Sequence, residues 1–163
     1  MGHKIIVIGC PGAGKSTFAR RLHSITNIPL HYLDMIWHKE DRTNVSQEEF
    51  DQTLLEVMHS DTWIIDGNYL RSMEVRLQHC DTVFLLDYPV EVCLQGVRER
   101  VGKKREDMPW VEEGLDDEFR ERIEKFSIEQ FPTVYHLLEQ YKEGKDIIIF
   151  KSREEAEHYL ETL

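Results

Sequence analysis

The pattern that most restricts what this chain can fold into is Gly9-Cys10-Pro11-Gly12-Ala13-Gly14-Lys15-Ser16, followed by Thr17. It fits G-x-x-x-x-G-K-[ST] at every fixed position. With Gly at about 7 % of residues, a match arises by chance in roughly 0.5 % of chains this long. The flanks sharpen the reading. Lys4-Ile5-Ile6-Val7-Ile8 before it is a short, β-branched apolar run, which reads as a buried parallel strand. Phe18, Leu22 and Ile25 after it recur at helical spacing, so a helix begins inside the pattern. Glycines between a strand and a helix let consecutive amide N–H groups converge on one anion, at the positive end of the helix dipole. The pattern therefore predicts a nucleoside triphosphate site. Gly9 to Thr17 hold the phosphates, Lys15 reaches the β- and γ-phosphates, and the Ser16 hydroxyl ligates Mg²⁺.

The remaining chain supplies the sheet this unit needs. Pro29–Asp34 reads as a short strand closing on a carboxylate, Trp63–Asp66 as a second, Thr82–Asp87 as the most apolar, and Asp146–Phe150 as the last. Between them lie helical patterns. Ser46 with Glu49 forms a capping box before Phe50, Leu54 and Val57, and a short helix is expected from about Ser72 to His79. Pro89 starts a helix carrying Cys93, Leu94, Val97 and Val101, and a long helix from Phe119 to Tyr141 is kinked or split by Pro132. Ser152 with Glu155 caps the last helix. Alternating β and α predicts one α/β domain over residues 1–163, with a five-stranded parallel sheet covered by helices on both faces. Ligands in such folds gather at the carboxyl ends of the strands, which selects the Gly9 loop, Asp34, Asp66 and Asp87.

Charge decides which partners are compatible with that edge. The chain of 163 residues has a formal net charge of −11, which opposes nucleic acid, and its apolar runs are too short to span a membrane. Its three cysteines are odd in number and far apart, as in a cytoplasmic protein with reduced thiols; Cys10 sits among loop amides that could lower its pKa, but reads first as a small loop-filling residue. Against the acidic background, Arg98, Arg100, Lys103, Lys104 and Arg105 cluster, and the polar stretch 102–114 reads as a lid closing cations over triphosphate. Asp66 is favoured over Asp87 as the second Mg²⁺-holding group. Arg71 and Arg76 are placed to grip an anionic acceptor.

These runs together resemble the adenylate-kinase-related P-loop small kinases, and more closely the proteins labelled DNA topology modulation proteins. The likeness rests on Gly9–Ser16, Asp34 with Trp37, Trp63-Ile64-Ile65-Asp66-Gly67-Asn68-Tyr69, Asp87-Tyr88-Pro89 and Gly102-Lys103-Lys104-Arg105-Glu106-Asp107-Met108. It implies a P-loop NTPase fold like that of nucleoside monophosphate kinases, with an acceptor region near 34–60 and the lid near 102–114. It also implies an acceptor-phosphate contact near Arg71, a catalytic arginine at Arg100, Gly96 where an adenine-stacking arginine would stand, and Asp34 at the position that holds an acceptor hydroxyl. The expected activity is Mg²⁺-dependent phosphoryl transfer from ATP to a nucleotide or small hydroxyl compound. Lys15, Arg100, Arg105 and Asp34 would serve catalysis, Asp34, Asp66 and Arg71 the acceptor, and Ser16 and Asp66 the metal. A monomer or weak dimer is expected, without direct nucleic-acid binding. The alternatives are a nucleotide-dependent regulatory ATPase and a DNA topology modulation protein that does not touch duplex.

Overall fold

In the computed structural model, residues 2–101, 109 and 117–163 are described. The first strand, β1 (Lys4–Gly9), runs into the glycine loop and α1 (Lys15–Thr26). Then come β2 (Leu30–Tyr32), α2 (Leu33–Trp37), α3 (Gln47–Met58), β3 (Trp63–Asp66) and α4 (Leu70–His79). The second half comprises β4 (Thr82–Leu86), α5 (Val90–Arg100), α6 (Asp117–Glu129), α7 (Phe131–Tyr141), β5 (Asp146–Phe150) and α8 (Arg153–Glu161).

The five strands form one parallel sheet in the order β2-β3-β1-β4-β5. In β1 and β4 successive residues are buried whichever way they point, from Ile5 to Ile8 and from Thr82 to Leu86. A strand with no solvent-facing alternate must be covered on both sides; β3 is buried throughout in the same way, so β3, β1 and β4 form the centre of the sheet. Helix α1 packs on β1, β2 and β3 and meets α8, whereas α4 packs on β1 and meets α7. Phe18 of α1, Phe84 of β4, Phe150 of β5 and Tyr159 of α8 form one aromatic cluster, with ring centroids 5.1–6.0 Å apart. That cluster ties the helix bearing the glycine loop to the far half of the sheet. Among the described residues no helix is long and apolar enough to cross a membrane.

The capping signals read from the sequence form as hydrogen bonds. The Glu49 N–H donates to Ser46 Oγ at 3.1 Å, and the Glu155 N–H to Ser152 Oγ at 3.2 Å, each worth about 1 kcal/mol. The long helix is split, ending at Glu129 and restarting at Phe131, with Pro132 in the first turn of α7 where its missing N–H costs nothing. Two boundaries differ from expectation. Helix α4 begins at Leu70, earlier than Ser72. The second strand stops at Tyr32, so Leu33 and Asp34 belong to the single turn of α2.

Candidate active site at the carboxyl edge of the sheet

At the end of β1 the chain turns on two glycines with positive φ, Gly12 at 85° and Gly14 at 95°. Gly12 must also lack a side chain, because a Cβ there would lie 2.0 Å from the Cys93 carbonyl oxygen of α5. Gly14 caps α1 without any side-chain hydrogen bond, and the first turn of α1 contains no carboxylate. The first turn of this helix therefore brings no acidic side chain of its own to the positive end of the dipole. Beside the loop is a cavity of about 390 Å³, lined by Gly12–Phe18, Arg100 and Arg153 among others. Loop, helix end and cavity together fit a polyphosphate.

The metal-side residues converge. The Ser16 hydroxyl donates to Asp66 Oδ2 at 2.7 Å, and Asp66 is 4 % exposed at the end of β3. Mg²⁺ binds oxygens at about 2.0–2.1 Å in an octahedron, so two adjacent ligands stand about 2.9 Å apart. Hard oxygen donors at nearly this spacing suit that ion. Asp87, the other strand-end carboxylate weighed for it, accepts instead from the Tyr135 hydroxyl at 2.6 Å and from Lys151 Nζ at 2.5 Å.

Residues 66–69 each have a separate contact. Gly67 leaves space for Leu33, whose Cβ lies 2.8 Å from the position a Gly67 Cβ would take. The Asn68 amide grips Gly9 twice, accepting from its N–H at 3.0 Å and donating to its carbonyl at 2.7 Å. Tyr69, a non-glycine residue with φ 28°, donates its phenol hydroxyl to Asp34 Oδ1 at 2.5 Å. Arg76 fastens this turn from below, donating to the carbonyls of Gly67, Asn68 and Tyr69 and to Ser72 Oγ. Its side chain is fully buried, and burial pulls its pKa down to about 10, still leaving a cation at neutral pH. The expectation that Arg76 grips an anionic acceptor is therefore corrected: its donors are spent on backbone.

Asp34 lies in α2, two residues past Tyr32, which pairs with Asp66 in the sheet. His38 Nε2, one helical turn on, is 3.8 Å from the same Oδ1 that Tyr69 holds. Trp37, Phe50 and Tyr69 pack edge to face, with centroids 5.7 and 5.6 Å apart. Arg71 lies over the Phe50 ring, but its guanidinium makes a two-pronged, solvent-exposed contact with Asp51 at 2.7 and 3.2 Å.

Half-buried Arg100 lines the cavity, while Lys103, Lys104, Arg105 and the stretch 102–114 expected to form a lid, apart from Pro109, lie outside the described residues. Gly96 has no room for any side chain: a Cβ there would stand 2.0 Å from the Gly12 carbonyl oxygen. The guanidinium near that spot is that of Arg153, which donates to the Gly12 carbonyl at 3.3 Å. Sequence reasoning passed over Arg153, Asn68 and Tyr69 as individuals. The signals available were an arginine just after the Ser152 cap and the run Asp-Gly-Asn-Tyr at a strand end. The loop amides do not lower the Cys10 thiol: contact with Cys93 and burial push it up, in keeping with a residue that fills the loop.

A parallel sheet with the order β2-β3-β1-β4-β5 and a glycine loop at the end of its central strand is an α/β fold that this chain shares with solved shikimate kinases. Solved structures with this architecture include shikimate kinase from Bacteroides thetaiotaomicron, with 17 % identity, TM-score 0.58, and 97 % of this chain and 94 % of that one covered. Shikimate kinase from Acinetobacter baumannii, in complex with shikimate, aligns with 17 % identity and TM-score 0.61 over 98 % of this chain and 90 % of that one. No protein-family model and no curated protein matches this chain.

Proposed function

We propose that this chain is a kinase that moves the γ-phosphoryl group of ATP to a hydroxyl group of a small molecule, with Mg²⁺ held by Ser16 and Asp66. The observation that carries the reading is the 2.7 Å contact of Ser16 with Asp66 beside an α1 N-terminus with no side-chain cap and no acidic residue in its own first turn. The fold shared with shikimate kinases supports it. Bound there, Mg²⁺ would neutralise charge on the β- and γ-phosphate oxygens. The loop amides and Lys15 hold the phosphates in line. Arg100, with Arg105 from the lid sequence, balances the charge spread over the equatorial oxygens of a loose transition state. Asp34 takes the proton of the acceptor hydroxyl as the new O–P bond forms and the bond to the β-phosphate oxygen breaks, releasing ADP.

A hydroxyl acceptor fits better than a nucleoside monophosphate. An incoming phosphate would face the Asp34 and Asp66 carboxylates, while Arg71 is paired with Asp51 and Arg76 is buried. We take 34–60 as the acceptor region of a single domain, and the three buried free cysteines as suited to a reducing, cytoplasmic setting. The test is ADP release with Mg²⁺ and ATP across shikimate, glycerol, myo-inositol, adenosine and AMP. Acceptor-dependent turnover is expected, lost in Lys15→Ala while the thermal transition persists. ATP consumption that no acceptor in the panel stimulates would refute the kinase reading.

A further inference from the structure

We propose that Tyr69 is the positioning residue for Asp34: its hydroxyl holds Oδ1 and leaves Oδ2 to receive the acceptor hydroxyl, while its ring continues the Trp37–Phe50 wall. This rests on the reading of Asp34 given above and adds to it how that carboxylate is oriented.

Three observations carry the assignment. Among the described residues, Tyr69 and His38 approach the carboxylate, and both do so at Oδ1, at 2.5 and 3.8 Å. A carboxylate engaged on one oxygen keeps a fixed plane and offers the other in a fixed direction, which is what near-attack geometry requires. Next, the Tyr69 backbone lies at φ 28° and ψ 78°, a conformation that a bulky residue keeps only where its surroundings over-determine it. Here they do. Arg76 holds the Tyr69 carbonyl at 3.1 Å, and the adjoining Asn68 is clamped to Gly9. Such strain concentrates at functional sites. Finally, the ring packs edge to face on Phe50, so the hydroxyl is anchored from both ends of the side chain. Burial, reinforced by the Asp34 charge and hydrogen bond, pushes the Tyr69 phenol well above its usual range. The phenol therefore stays protonated and remains a donor to the carboxylate at any working pH.

Tyr69→Phe removes the hydroxyl and keeps the ring. Crystals of this variant, grown without any acceptor, are expected to show the Asp34 carboxylate displaced or split over two rotamers. With the fastest compound of the panel as acceptor, kcat should fall at least tenfold, acceptor KM should change less than threefold, and the Mg²⁺·ATP Kd should stay within twofold by calorimetry. Tyr69→Leu, which also removes the ring, should raise acceptor KM at least fivefold above that of Tyr69→Phe. Asp34 unmoved in Tyr69→Phe, or kcat unchanged there while Asp34→Asn is inactive, would overturn the proposal and leave the role of Asp34 standing. Full turnover in Asp34→Asn would instead remove the underlying reading, and Tyr69 would have no catalytic group to position.

Discussion

Arg76 is a cation buried completely within a domain of only five strands. Desolvating a guanidinium is expensive, and here its hydrogen bonds go to backbone carbonyls at the turn between β3 and α4 and to Ser72 Oγ, with the Asp66 charge adding to the compensation. Replacing it with Met would leave those carbonyls without donors in a dry site. Each orphaned buried acceptor costs about 1–3 kcal/mol, so Arg76→Met should lose about 2–4 kcal/mol in urea unfolding, allowing for partial relaxation. Lys at this position cannot fork to three carbonyls and should recover only part of that loss. In the sequence, Arg71 and Arg76 stand five positions apart on one helix and look alike as anion binders. Burial separates them: Arg71 is exposed and paired, while Arg76 shares the inner face of α4 with Met73 and Leu77. Residue type and spacing reveal a cation, but which way the helix turns it depends on the tertiary packing. The loop around Gly12, Lys15 and Ser16 is legible for another reason: its glycine spacing is a local pattern, even though Ser16 reaches Asp66 and Gly12 packs on Cys93 far along the chain.

At the scale of elements, the approach of α5 to the glycine loop is closer than any side chain permits. Gly12 faces the Cys93 carbonyl and Gly96 faces the Gly12 carbonyl, so the two backbones touch at two reciprocal points. Gly96→Ala would place a methyl 2.0 Å from backbone that has no room to yield. We expect about 1–3 kcal/mol of destabilisation by thermal melting and at least a tenfold weaker Mg²⁺·ATP affinity by calorimetry, because the nest itself is displaced. The elements themselves could be read well from the chain. β1, β3, β4 and β5 announce themselves as apolar runs, and the caps at Ser46 and Ser152 mark helix starts. The β2–α2 junction could not be read. A three-residue strand followed by a single helical turn contains too few residues to show either period, and Pro29–Asp34 looks continuous.

For the molecule as a whole, the net charge of −11 sets the long-range field. A phosphate backbone gains affinity by exchanging counterions for lysine and arginine, and this surface has an excess of carboxylates. We therefore expect no retardation of duplex DNA at 150 mM salt and micromolar protein. A shift surviving at that salt would overturn the expectation that the chain does not bind nucleic acid directly. The same acidity makes local cations matter more, which is why Lys15, Arg100 and Arg153 all stand around a single cavity. Asn68, finally, has an effect beyond its own two hydrogen bonds. By pairing with both polar groups of Gly9, its amide stands in for one more rung of sheet at a point where β3 has already turned away. Glycine loop and strand-end turn are thereby riveted to each other, so under the proposed function any motion during turnover would fall to the elements around them.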